Sequence, residues 1–72
     1  MNQHFLTARE LEIFKLLLEN KTTIEIASKL NISEKTVRNH ISNVIGKLGV
    51  ESRTQAIITL LKNGMINSDH KF

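Results

Sequence analysis

Apolar residues recur along this chain at helical rather than strand spacing, and polar punctuation divides them into four segments. In the first, Leu11, Phe14, Leu17 and Leu18 fall on one face of a helix expected over about residues 8–19. Thr7-Ala8-Arg9-Glu10 opens it as a capping box, with Leu6 and Leu11 at the positions of a hydrophobic staple. Thr22-Thr23-Ile24-Glu25 is a second box, starting a short helix over 23–30 that buries Ile26, Ala27 and Leu30. Asn31 follows, and asparagine tolerates the left-handed backbone that closes a helix. Ser33 caps a third helix over 34–48, which stops at Gly49. Ser52-Arg53-Thr54-Gln55 is a third box, opening a helix over 53–63 that ends near Gly64. Residues 67–72 read as a flexible tail, so the domain is expected to occupy 1–66. The pattern predicts an all-α, four-helix fold.

The second and third predicted helices are joined only by Leu30-Asn31-Ile32-Ser33, the spacing of a helix-turn-helix. At helical periodicity Val37, Ile41, Val44, Ile45 and Leu48 form the core stripe of the third helix. Lys35, Asn39, Ser42, Asn43 and Gly46 lie opposite, with Thr36 and Arg38 on the flanks. That outer face is small, polar and basic, with no glutamate beyond its first turn. Arginine can bond a guanine edge bidentately and asparagine an adenine edge in the major groove. Ser33, Lys35 and Thr36, beside the free N–H groups of the helix start, suit phosphate oxygens. Taken alone, an outer face of this kind also fits a solvated surface that binds nothing. The preceding short helix and tight turn favour the binding reading. Gly46 fits either sequence drift or close approach of a ligand, because glycine inside a helix costs roughly 1 kcal/mol against alanine.

Composition narrows the classes. Seventy-two residues hold one domain. The absence of cysteine excludes disulfides and thiolate metal sites and suits a reducing cytoplasm. The longest apolar runs, Leu16-Leu17-Leu18 and Ala56-Ile57-Ile58, are far too short to cross a bilayer, so no membrane partner is expected. Net charge is +3, and the excess falls within residues 20–53. Those residues carry Lys21, Lys29, Lys35, Arg38, Lys47 and Arg53 against Glu25, Glu34 and Glu51, a basic middle that suits a phosphate backbone.

Five stretches in order resemble the LuxR/GerE family of helix-turn-helix regulators. They are Leu6-Thr7-x-Arg9-Glu10, Glu25-Ile26-Ala27, Ile32-Ser33-x-x-Thr36-Val37-Arg38-Asn39-His40-Ile41, Lys47-Leu48-Gly49-Val50 and Arg53-Thr54-Gln55-Ala56. Sigma-factor region 4 shares the front half, and the last two stretches favour LuxR/GerE over it. The resemblance implies a third helix in the major groove, with Arg38, Asn39 and Ser42 facing base edges and the fourth helix as dimer contact. Ile24 departs from the polar or basic residue often found near phosphate in the family, and Ser42 from the lysine that some relatives carry. Most members carry a phosphoacceptor or ligand-binding domain ahead of this module. Here the one aspartate is Asp69 in the expected tail, and Met1 with no tag favours a freestanding regulator over an excised output domain.

The expected ligand is a double-stranded DNA operator bound by a homodimer. Base readers are Arg38, Asn39, Ser42 and Lys35; phosphate contacts are Lys21, Thr22, Thr23, Ser33, Thr36, Asn43 and Lys47. The dimer contact is Thr54, Ile58, Leu61 and Lys62, since Ile58 and Leu61 diverge from the inward Ala56, Ile57 and Leu60. Activation of transcription would add a contact with RNA polymerase. No cofactor or metal is expected: His4, His40 and His70 lack ligand spacing, and His40 reads as a packed histidine at the core edge. Glu10, on the apolar face of the first helix, is explained by its capping box, with Lys47 or Arg53 as ion partner. No nucleophile, base and acid are grouped and no glycine-rich loop could cradle a nucleotide, so no enzyme activity is expected. The competing class is a helical protein-interaction adaptor with only sequence-blind affinity for DNA.

Overall fold

The computed structural model describes residues 5–67. Residues 68–72 of the tail expected over 67–72, with Asp69 and His70, and His4 lie outside the described residues. Four helices and no strand are found among the described residues: α1 Ala8–Leu18, α2 Thr23–Leu30, α3 Glu34–Leu48 and α4 Arg53–Lys62. The first and last are each one residue shorter than expected, because Glu19 and Asn63 are C-cap residues.

Side-chain caps start every helix. Thr7 and Thr22 form reciprocal boxes with Glu10 and Glu25: each hydroxyl accepts the glutamate N–H, and each carboxylate accepts the threonine N–H at 2.8 Å. The third expected box is one-sided. Ser52 Oγ accepts Gln55 N–H at 3.2 Å, but Gln55 Oε1 accepts Glu51 N–H at 2.8 Å instead of the cap's own N–H. An amide is a weaker acceptor than a carboxylate, and here it satisfies the preceding turn.

All four helices also close alike. Asn20, Asn31, Gly49 and Gly64 take positive φ (67°, 58°, 69° and 70°), and the next residue donates back five positions. Those bonds are Lys21 N–H to Leu16 O, Ile32 to Ala27, Val50 to Ile45 and Met65 to Leu60, at 2.9–3.2 Å. Of these, only Asn20 carried no expectation.

The core joins Leu6, Ile13, Phe14, Leu16, Ile26, Ala27, Val37, Ile41, Val44, Ala56, Leu60 and Ile66. The inward face of α1 is therefore centred on Ile13 and Phe14, while Leu11, Leu17 and Leu18 are only half-buried. This corrects the expected face: a helix holding leucines and isoleucine on most sides is oriented by its partners, not by its own periodicity. Leu30, Ile45 and Leu48 likewise pack half-buried against the core edge. Ile66 is 2% exposed although it follows α4. The left-handed turn at Gly64 folds the chain back and seats this side chain among the helices.

Candidate nucleic-acid interface

Three residues, Asn31 to Ser33, separate α2 from α3. The left-handed Asn31 turns the chain, and Ser33 in extended backbone starts α3 at once. Val37, Ile41 and Val44 then lock one face of α3 into the core. The opposite face is fixed in direction as a result, and Lys35, Asn39, Ser42 and Asn43 are exposed on it. None of their side chains bonds another side chain among the described residues. Gly46 continues that stripe; a methyl built on it would meet no atom within 4 Å, so no neighbour in the fold requires glycine there.

At the start of α3, Ser33 Oγ accepts Thr36 N–H at 3.0 Å, and the two hydroxyls lie 2.8 Å apart. They share one hydroxyl proton between them. Whichever oxygen donates, one further O–H is left for an outside acceptor. Thr22 is comparable: its oxygen accepts Glu25 N–H, which leaves its proton available, and Lys21 beside it is exposed. The N-termini of α2 and α3 thus present hydroxyl donors and lysine cations to anions.

Two of the expected phosphate contacts are engaged elsewhere. Thr23 donates its hydroxyl to Glu34 Oε2 at 2.7 Å, so that proton is spent inside the protein. Lys47 donates to Glu10 Oε1 at 2.9 Å, Glu10 Oε2 at 3.1 Å and the Phe5 carbonyl at 3.1 Å. An ammonium has three protons, and all three have acceptors. Lys47 therefore serves the fold itself, tying the end of α3 to α1 at the position where a phosphate contact was expected. Of the two partners expected for Glu10, the fold selects Lys47. Burial of the 3%-exposed Glu10 raises its pKa, but bonds from Thr7 N–H and the Lys47 ammonium outweigh this and hold it below the ordinary glutamate value.

Arg38 lies on the flank of the polar face with its side chain 55% exposed, and its Nη1 pairs with Glu34 Oε2 at 2.9 Å. The Thr23 hydroxyl first, and then the Arg38 charge against a smaller opposing effect of burial, keep Glu34 below its ordinary pKa. Reading α3 by faces overlooked this pair, although glutamate four residues before arginine is a signal visible in sequence. His40 is half-buried at the core edge.

On α4, Thr54, Ile58, Leu61 and Lys62 are exposed along one stripe, facing away from the buried Ala56 and Leu60. Ile58 and Leu61 keep 46% and 38% of their surface in water. Ile24 on α2 is more exposed still, at 67%, between Lys21, Glu25 and Ser28. Among the described residues no helix is long and apolar enough to cross a membrane.

The chain matches known proteins over most of its length. The family model described as bacterial regulatory proteins, luxR family, matches residues 4–60. The spore germination protein GerE of Bacillus subtilis (strain 168) is 64% identical over 59 residues, covering 82% of this chain and 80% of that protein. The transcriptional regulatory protein DegU of Brevibacillus brevis is 44% identical over 63 residues, covering 88% of this chain but only 27% of that protein. A solved structure of the transcription factor GerE superposes with a TM-score of 0.85 at 58% identity, covering 86% of this chain and 92% of that one.

Proposed function

Since the chain belongs to the luxR family of bacterial regulatory proteins, as a DNA-binding domain of a transcription regulator, we propose that α3 enters the major groove and reads bases there. The observation that carries this is the exposed stripe of Lys35, Asn39, Ser42 and Asn43, without side-chain partners among the described residues and held outward by the buried Val37, Ile41 and Val44. Arg38, Asn39 and Ser42 contact base edges, and Lys35 reaches bases or phosphate from the first turn. Lys21, Thr22, Asn43 and the Ser33–Thr36 pair hold the backbone, Thr22 through the proton its cap leaves over and the pair through its one remaining hydroxyl proton. We read the domain as one that binds and does not catalyse, a reading supported by similar proteins described as transcription regulators or factors.

Two copies joined through Ile58 and Leu61 of α4 would present two α3 helices to a two-fold operator. The exposure of that apolar pair on so small a domain supports the dimer. Duplex DNA as ligand implies the bacterial cytoplasm as its compartment. An activating role would add a contact with RNA polymerase.

The test is selection of bound sequences from a random duplex pool at physiological salt. Enrichment of a motif with two half-sites is the expected result. No enrichment, with binding that depends only on salt, would exclude base readout and leave a protein-interaction adaptor.

A further inference from the structure

One carboxylate oxygen joins the scaffold helix to the reading helix. Glu34 Oε2 accepts from Thr23 Oγ1 at 2.7 Å and forms an ion pair with Arg38 Nη1 at 2.9 Å. Thr23 is the first residue of α2, while Glu34 and Arg38 are one turn apart on α3. We propose that Glu34 is a positioning residue for sequence readout, aiming the Arg38 guanidinium through a Thr23–Glu34–Arg38 chain and withholding it from indiscriminate contact with phosphate. This rests on the reading of Arg38 as a base contact.

Three features of the arrangement carry the inference. Arginine is long and rotamer-rich, and a half-exposed guanidinium at the groove edge would otherwise meet phosphates as easily as bases. Glu34 pairs with it through Nη1 alone, which leaves its other nitrogens with N–H donors enough for a bidentate contact with guanine. The second feature is the anchor. A glutamate in the first turn already suits the helix dipole, and an exposed pair one turn apart adds little stability. Neither benefit calls for a hydroxyl from another helix. The Thr23 bond restricts the carboxylate, and through it the arginine, relative to α2. The third is charge. A carboxylate on a DNA-facing helix end repels the phosphate backbone, so it lowers sequence-independent affinity while directing the one cation it pairs with.

The full chain provides the test, with the site recovered from the random pool as operator. Dissociation constants are measured on this operator, on its single-base-pair variants and on an unrelated duplex, at one salt concentration. Circular dichroism confirms that each variant is folded. Arg38→Ala first identifies the base pair whose preference depends on that residue. Glu34→Ala is expected to tighten binding to the unrelated duplex about two- to five-fold, because a negative charge is removed. It should also reduce discrimination at the Arg38-dependent base pair by roughly ten-fold, and have no further effect on discrimination when combined with Arg38→Ala. Glu34→Gln keeps an acceptor for both partners and should restore most of the discrimination without restoring the weaker background binding. Thr23→Val changes no charge, so it should lower discrimination at the same base pair and leave the unrelated duplex unaffected. If Arg38→Ala alters that preference while Glu34→Ala and Thr23→Val do not, the positioning role is overturned and the base-contact reading stands. If Arg38→Ala changes no preference, or no site is enriched, both fall together.

Discussion

The ammonium of Lys47 reaches both carboxylate oxygens of Glu10, at 2.9 and 3.1 Å, across 37 residues of sequence. It ties the start of α1 to the end of α3, and its third proton goes to the Phe5 carbonyl at 3.1 Å. Glu10 is 3% exposed and Lys47 about a third exposed, so the pair lies at the boundary of the core. Lys47→Met would leave a buried carboxylate with only the cap N–H for company. We expect a loss of about 2–3 kcal/mol, below the value for a fully buried pair because Lys47 keeps some water. For a domain of this size the total is roughly 4–11 kcal/mol, so urea denaturation will register the change clearly.

The same pair makes stability depend on acid. The pKa of Glu10 is lowered in the folded state, so the ionised form favours folding. That contribution is complete above the ordinary glutamate value of about 4.3 and is lost as pH falls through the depressed native value. Urea midpoints should therefore decline below about pH 4.3. In Lys47→Met this decline should shrink or reverse, because burial then acts on Glu10 without the opposing ammonium and raises its native value towards or above the unfolded one. A decline of unchanged size would mean that Lys47 does not set this titration.

Lys35 and Arg38 should separate on DNA. Lys35→Ala is expected to weaken all sequences nearly alike and to reduce the slope of log affinity against log salt by about 1. Arg38→Ala should cost roughly 1–3 kcal/mol on the operator and relax the preference at one position. Fluorescence anisotropy at several salt concentrations measures both.

Ile58→Asp with Leu61→Asp places two charges on the exposed α4 stripe. Neither residue is buried in the monomer, so thermal stability should change little. Sedimentation at micromolar concentrations should show a monomer where the parent chain shows a dimer, with weaker binding to a two-half-site operator. An unchanged mass with unchanged affinity would remove α4 as the dimer contact.

Gly46→Ala adds a methyl to open space inside α3. Helix propensity then predicts a gain of about 1 kcal/mol and a rise in Tm of about 4–8 °C by calorimetry. Operator affinity on the same variant reads how closely the duplex approaches that face.

Some of this protein was written in local sequence. Caps at Thr7, Thr22, Ser33 and Ser52, and left-handed closures at Asn31, Gly49 and Gly64, involve residues within five or six positions of one another. Hydroxyl, amide and glycine chemistry at those distances needs nothing from the rest of the fold, and the helices could be bounded from it alone. The face of α3 was legible too, because its apolar residues occupy one side only. Asn20 has the same chemistry as Asn31, so its closure lay within reach of the same reading.

The tertiary structure decided what depends on distant partners. Apolar residues on several sides of α1 left its orientation open until packing, chiefly against α3 and α2, buried Ile13 and Phe14. Ile66 became core only when the turn at Gly64 returned it to the helices. Lys47 and Thr23 looked like free donors in sequence, and packing brought each to a glutamate that takes its protons. Local hydrogen bonding fixed where the helices begin and end. Long-range burial and charge pairing fixed which cations and hydroxyls the fold itself engages.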